Sequence, residues 1–229
     1  RLRDWFLRVV VALFGLVIGY NGAIFWRVWQ LREHNPENTA FMQQGLERLQ
    51  ERNPNARLQH RWVPYEKISV ELKRAVIAAE DQKFLDHEGF DVEAIQEAYE
   101  KNERSGRIRR GASTISQQLA KNLFLSPRRS YLRKAHEGVI TLMMEALLSK
   151  QRILEIYLNV VEWGNGIYGA EAAARYYYGT SAAALDAEQA ARMAAMIPSP
   201  RYFSTHRDSP YLEQRTQMLL SQMGYVRVP

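Results

Sequence analysis

The sequence predicts a mainly α-helical protein carrying one N-terminal transmembrane helix. Three observations lead there. Val9 to Trp26 runs for a membrane's width without a charged residue, apolar residues from Ser69 onward recur at helical spacing, and the long Val/Ile/Thr alternation of strands is lacking. A chain of 229 residues has room for one domain with a sizeable core plus appendages, and not for two full enzyme domains.

Taken in order, residues 1–8 form a short segment rich in arginine, expected on the cytoplasmic side, and residues 9–29 the transmembrane anchor. At about 1.5 Å per residue the uncharged run covers about 27 Å, close to the hydrocarbon thickness of a bilayer. Arg1, Arg3 and Arg8 precede it and Arg27 follows, while Trp5, Trp26 and Trp29 stand where interfacial aromatics belong. The alternatives are a cleaved signal peptide or a buried core helix. No Ala-x-Ala-like cleavage site follows, and buried helices are seldom apolar all round for this length. Gly15 and Gly19 form a GxxxG pair, a pattern common in spans whether or not they dimerise.

Residues 30–61 are polar, with prolines at 36 and 54, and read as a juxtamembrane stalk containing a short helix near 40–52. The folded domain is expected over 62–229. Helical periodicity marks Val70 to Phe84, Val92 to Glu103, Thr114 to Phe124, Tyr131 to Leu148, Lys150 to Val161, Gly169 to Tyr178 and Ala187 to Met196. Thr114 with Gln117, and Asp186 with Gln189, have the form of capping boxes. Arg104 to Gly111 reads as a basic loop, either a flap beside a site or a solvated surface turn.

The net charge of +6 implies an anionic partner, which charge alone leaves open among nucleic acid, acidic lipid and a phosphorylated substrate. Cysteine is absent, so disulfides and thiolate metal sites are excluded, and the five histidines show no metal-binding spacing. The interleaved aromatic and basic pattern of a nucleic-acid stacking platform is also missing.

Glu80 ends the apolar run Ala75-Val76-Ile77-Ala78-Ala79, and a carboxylate at the edge of such a surface can be pushed toward the range of a useful base. An exposed helix-end acid is the plainer reading. Ser113, Gln117 and Lys121, at i, i+4 and i+8, would line one helix face with hydroxyl, amide and ammonium. Such a strip suits a sugar phosphate, although a polar outer face has the same pattern. Arg128, Arg129, Arg133 and Lys134 precede Glu137, with Arg133 one turn before it. They form either a structural ion pair or a cluster of cations for a diphosphate, with the acid orienting them or sharing a divalent ion. The segments Lys150 to Asn159 and Ala190 to Pro200 read mainly as packing.

Five segments, in order, resemble the motif series of the family 51 peptidoglycan glycosyltransferases. They are Glu80-Asp81-Gln82-Lys83-Phe84-Leu85-Asp86-His87-Glu88-Gly89, then Gly111-Ala112-Ser113-Thr114-Ile115-Ser116-Gln117-Gln118-Leu119-Ala120-Lys121-Asn122, then Arg133 to Glu137, Lys150 to Asn159, and the segment around Arg192 before the final prolines. The resemblance covers roughly residues 62–203. With the anchor, and with no transpeptidase domain following, it points to the monofunctional members. It implies a lysozyme-like, two-lobed fold and the polymerisation of lipid II into β-1,4-linked glycan, releasing undecaprenyl diphosphate by inverting transfer.

The same resemblance implies the site. Glu80 would be the catalytic base and Glu137 the second acid, with Ser113, Gln117, Gln118, Lys121, Arg129 and Arg133 binding sugars and diphosphate. Asp81, Phe84, His87, Gly89, Thr114 and Asn122 would fix the motifs' geometry. No cofactor is required, although a divalent ion (Mg or Mn) near Glu137 is a candidate. Expected partners are lipid II, the growing glycan and membrane lipid, with other cell-wall or division proteins as candidates and no nucleic acid. The expected location is the bacterial inner membrane, single-pass, with the domain on the periplasmic side. The rival readings are a lysozyme-like lytic enzyme and a non-catalytic, membrane-tethered binding protein for anionic glycolipid.

Overall fold

The computed structural model describes residues 2–105, 112–126 and 130–229. The expected flap beyond Ser105, with Arg128 and Arg129, lies outside the described residues. Helix α1 (Leu2–Gln30) is 29 residues long and leaves its large apolar side chains exposed on all sides over most of its length. An 18-residue window within it has a mean hydropathy of 2.0, enough in length and composition to cross a membrane. Its C-terminal end and the residue after it behave differently. Ile24, Val28 and Leu31 form a buried stripe at i, i+4 and i+7 that joins the core.

The stalk expected at 30–61 is instead packed on the domain over much of its length. Thr39 caps α2 (Ala40–Gln50), its hydroxyl accepting from the Met42 N–H at 3.1 Å, and Met42 and Gly45 are buried. Gly45 is required there, because a Cβ would stand 2.2 Å from the Tyr168 hydroxyl oxygen. Strand β1 (Gln59–His60) pairs in parallel with β3 (Ile167–Tyr168), which pairs antiparallel with β2 (Glu162–Gly164). The polar composition of this stretch concealed the docking, which rests on Met42, Gly45 and backbone pairing rather than on a long apolar stripe.

Beyond it come α3 (Val70–Glu80), α4 (Val92–Ser105), α5 (Ile115–Phe124), α6 (Tyr131–Leu147), α7 (Lys150–Val160), α8 (Ala170–Tyr178), α9 (Ala187–Met196), α10 (Pro200–Thr205) and α11 (Pro210–Met223). All seven helices expected from Val70 to Met196 are present with shifted ends, and both capping boxes form. Helices α10 and α11 were not expected. Each starts with proline at its first position, where the missing N–H costs nothing.

One lobe is built on α3, packed against α9 and α11. Alanines on both sides (Ala75 and Ala78; Ala190, Ala191, Ala194 and Ala195) let these helix axes approach closely. α7 runs through the centre with Ile153, Leu154, Ile156, Tyr157 and Leu158 all buried. The second lobe consists of α6 against α5 and the end of α1, with α2 on α5. Because α5 also packs on α7, it joins the lobes and forms the floor between them.

Candidate active site

The first motif is held by a reason local to Asp81. Asp81 leaves the helix after Glu80 with φ −166°, and its Oδ2 accepts from the Ile115 N–H at 2.9 Å, at the N-terminus of α5. A carboxylate there satisfies an orphan donor and meets the positive end of the helix dipole. Its Oδ1 lies 2.8 Å from His87 Nε2. The Gly89 N–H donates to His87 Nδ1 at 3.1 Å, so the imidazole proton is on Nε2 and is donated to Asp81. Thr114 Oγ1 donates to the Gly89 carbonyl at 2.7 Å, and Lys150 Nζ donates to the His87 carbonyl at 2.6 Å. Phe84 is fully buried, with Lys150 Nζ 4.7 Å from its ring centre. Gly89 has φ +89°, and a Cβ there would stand 2.7 Å from Thr141 Cγ2. The first, second and fourth motifs therefore form one hydrogen-bonded unit behind Glu80.

Glu80 is the product of this arrangement. Its side chain is 11% exposed. Gln118 Nε2 donates to its Oε2 at 2.8 Å, and Tyr157 OH donates to Gln118 Oε1 at 3.0 Å, which fixes the amide's orientation. Burial raises the Tyr157 hydroxyl's pKa well above the usual phenol value, so it stays a donor. Arg215, on α11, places a guanidinium nitrogen 3.9 Å from Glu80 Oε1. Burial pushes the Glu80 carboxyl above its ordinary range; Gln118, Arg215 and Lys121 oppose that in decreasing order, and Asp81 adds to it.

Across the cleft, Glu137 is 3% exposed on α6 and both its oxygens are taken. Arg133 donates to Oε2 at 2.8 Å, and Lys134 pairs with Oε1. The expected Arg133–Glu137 pair is present, and Lys134 completes it. Lys134 also donates to Ser113 Oγ at 3.3 Å. Lys121 stands nearby with Nζ 5.4 Å from the Phe41 ring centre. Burial pushes its ammonium below the usual lysine value; Glu137 is the main opposing influence, while Arg133 and Lys134 add to the fall. An incoming anion would oppose that fall.

The expected strip of Ser113, Gln117 and Lys121 is not formed. Thr114 is the N-cap, so Ser113 precedes the helix and the i, i+4, i+8 phase breaks. Gln117 is buried, its Oε1 accepting from the Thr114 N–H at 3.1 Å in the capping box, and it does not line the cleft. Gln118 takes that place beside Lys121. Asn122 is buried on the same helix. Arg129 lies outside the described residues. Tyr157 and Arg215 are site residues the sequence reading did not single out. Tyr157 sat in a core stripe, and Arg215 belongs to a helix that was not expected.

A cavity of about 630 Å³ is lined by Ser113, Gln118, Lys121, Arg133, Lys134 and Glu137, among others. A second, of about 380 Å³, lies between the end of α3 and α4 and includes Glu80, Asp81 and Thr114. Ser113 borders both, and Gln118, which lines the first, donates to Glu80, which lines the second. No group of three His, Cys, Asp or Glu gathers among the described residues. Among the described residues, both Glu137 oxygens are taken by cations.

The transglycosylase family model matches residues 46–224, and the chain belongs to that family. Similar proteins include the biosynthetic peptidoglycan transglycosylases of Nitrosospira multiformis, 55% identical over 99% of both chains, and Methylobacillus flagellatus, 54% identical over 100% of both. That of Thiobacillus denitrificans is 56% identical, covering 98% of this chain and 97% of its own. The fold is the lysozyme-like one that the motifs implied.

Proposed function

We propose that this protein polymerises lipid II into β-1,4-linked glycan strands for the bacterial cell wall, with Glu80 as base. The observation that carries the reading is a buried, pKa-raised Glu80 carboxyl at the edge of a cleft lined by Lys121, Arg133 and Lys134. Glu80 takes the proton from the 4-hydroxyl of the acceptor N-acetylglucosamine as that oxygen attacks the anomeric carbon of the donor. The α-linked diphosphate leaves and a β-1,4 bond forms, so one inverting displacement suffices. Its developing negative charge meets the three ammonium and guanidinium groups, with Glu137 holding Arg133 and Lys134 in place. Ser113 and Gln118 bind sugar or phosphate, and Arg129 is proposed as a further cation. No step requires a metal held by the protein.

Helix α1 anchors the chain in the inner membrane as a single pass, with the domain on the periplasmic side where its lipid-linked substrate is presented. Cell-wall or division proteins are candidate neighbours of the open face around Gly15 and Gly19. A lytic enzyme shares the helical fold and a cleft glutamate but has no use for a cationic diphosphate pocket.

The test is incubation of the detergent-solubilised chain with labelled lipid II, comparing it with Glu80→Gln and following polymer and released undecaprenyl diphosphate. Polymer from the unaltered chain alone is expected. Cleavage of preformed glycan without polymer would move the protein to the lytic class.

A further inference from the structure

Where α1 meets the domain there is a cavity of about 390 Å³, within the range of small-ligand sites and separate from the cleft. Its lining includes Arg27 and Gln30 from the last turn of α1, Glu37 and Asn38 from the following loop, Gln43 from α2 and Phe124 from the end of α5. Arg27 is the first charged residue after the apolar run, and Trp26 and Trp29 stack beside it at 5.0 Å. On the proposed membrane reading, on which this inference rests, the cavity therefore lies at the level of the lipid headgroups.

The charges are arranged for a ligand. The Arg27 guanidinium carbon is 5.1 Å from the centre of the Phe124 ring, and among the described residues no carboxylate pairs with it. Glu37 lines the same cavity and pairs with no cation among the described residues. Arg27 and Glu37 thus line one cavity with opposite charges and no ion pair between them. The walls are fixed. Arg152 Nε donates to the Leu31 carbonyl at 2.8 Å, and its other nitrogens reach the His34 carbonyl at 3.1 Å and Asn35 Oδ1 at 2.8 Å. Leu31 is itself buried in the core.

We infer that this cavity binds the zwitterionic headgroup of an amine-bearing phospholipid, with Arg27 taking the phosphodiester and Glu37 the ammonium. Gln30, Asn38 and Gln43 supply hydrogen bonds to the ester and phosphate oxygens. A phosphate alone would use Arg27 and be repelled by Glu37, whereas a phosphoethanolamine group answers both charges. A bound lipid would then seat the anchor–domain joint in the membrane without touching the reaction centre.

The experiment reconstitutes the full chain in vesicles of equal phosphatidylethanolamine and phosphatidylglycerol with matched acyl chains. The protein is then released into mild detergent and its retained lipids are quantified by native mass spectrometry. Retention of the amine lipid over the glycerol lipid is expected. Glu37→Gln is expected to shift that ratio toward phosphatidylglycerol by about fivefold, a gain that misfolding cannot produce, and Arg27→Gln to lose both. Polymer synthesis in detergent should persist in both variants. An unchanged ratio across the three proteins overturns the inference. Flotation with the vesicles separates the two readings: a chain that fails to float defeats the membrane anchor itself, and one that floats without lipid preference defeats only this site.

Discussion

Glu80 and Glu137 are both buried glutamates, lining two cavities that share Ser113, and their surroundings give them different chemistry. Glu137 has a cation on each oxygen, at the end of a helix turn that also carries Arg133 and Lys134. Glu80 has one amide donor, Gln118, and a guanidinium 3.9 Å away. Burial without a close cation leaves a carboxyl that holds its proton more tightly, which is what a base needs. Burial between two cations produces a fixed anion that organises positive charge. The side chain is the same, and its partners decide its work.

The largest effect expected from breaking that contrast is on turnover. Glu80→Gln keeps the shape and the contact to Gln118 but removes the proton acceptor, and polymerisation is expected to fall about 10²–10⁴-fold. Binding of the lipid donor, measured by fluorescence displacement, should be retained. Stability moves the other way. The folded pKa of Glu80 is raised above its ordinary value of 4.5, so its favourable contribution is complete at low pH and is lost as pH rises through the folded pKa. At neutral pH the variant is therefore expected to melt a few degrees higher, on the order of what relieving a buried charge achieves, with the gap closing in acid.

The matching change at the other carboxylate should have the opposite sign on stability. Glu137→Gln leaves Arg133 and Lys134 without their counter-ion and adjacent to Lys121. Loss of about 1–3 kcal/mol is expected in urea unfolding, moderated because Lys134 is half exposed. Polymerisation should fall about 10–100-fold, appearing largely in KM for the donor as the cations lose their order. If both glutamine variants destabilise equally, the distinction between base and organiser fails.

A third break acts on the frame behind Glu80. Gly89→Ala meets both the positive φ and the Thr141 and Glu145 side chains, and a cost of about 1–3 kcal/mol is expected from calorimetry. Activity should fall in parallel with the folded fraction, since Gly89 touches no part of the cleft directly.

The helices were legible because periodicity reports burial, and Thr114 and Arg133 were legible because capping and one-turn pairing are local rules, whereas Asp81 was singled out only by the resemblance because its partner Ile115 lies 34 residues on. What failed to show was set by distance in sequence. The choice between Gln117 and Gln118 turned on where α5 starts: with Thr114 as cap, Gln117 is committed to the backbone and Gln118 turns to Glu80. Arg215 reaches Glu80 across more than a hundred residues from a helix that opens on a proline. Residues 30–61 looked like a stalk because their docking depends on Gly45 beneath Tyr168 and on a two-residue strand, neither of which leaves a pattern.

The smallest effect is the most specific. Gln118→Leu removes the hydrogen bond that most strongly opposes the rise in the Glu80 pKa, while leaving the cations of the cleft in place. The base works only when deprotonated, so the acid limb of kcat/KM against pH should move to higher pH, with a modest loss at the plateau. Arg215→Met removes a weaker, more distant influence and should move the limb in the same direction by less. Tyr157→Phe frees the Gln118 amide to turn away and should reproduce part of the Gln118→Leu shift without altering any group that touches Glu80. A limb that stays put in all three would mean that a group other than Glu80 titrates in the rate. A limb that moves to lower pH would reverse the sign of every interaction ascribed to that carboxyl, and with it the contrast with Glu137.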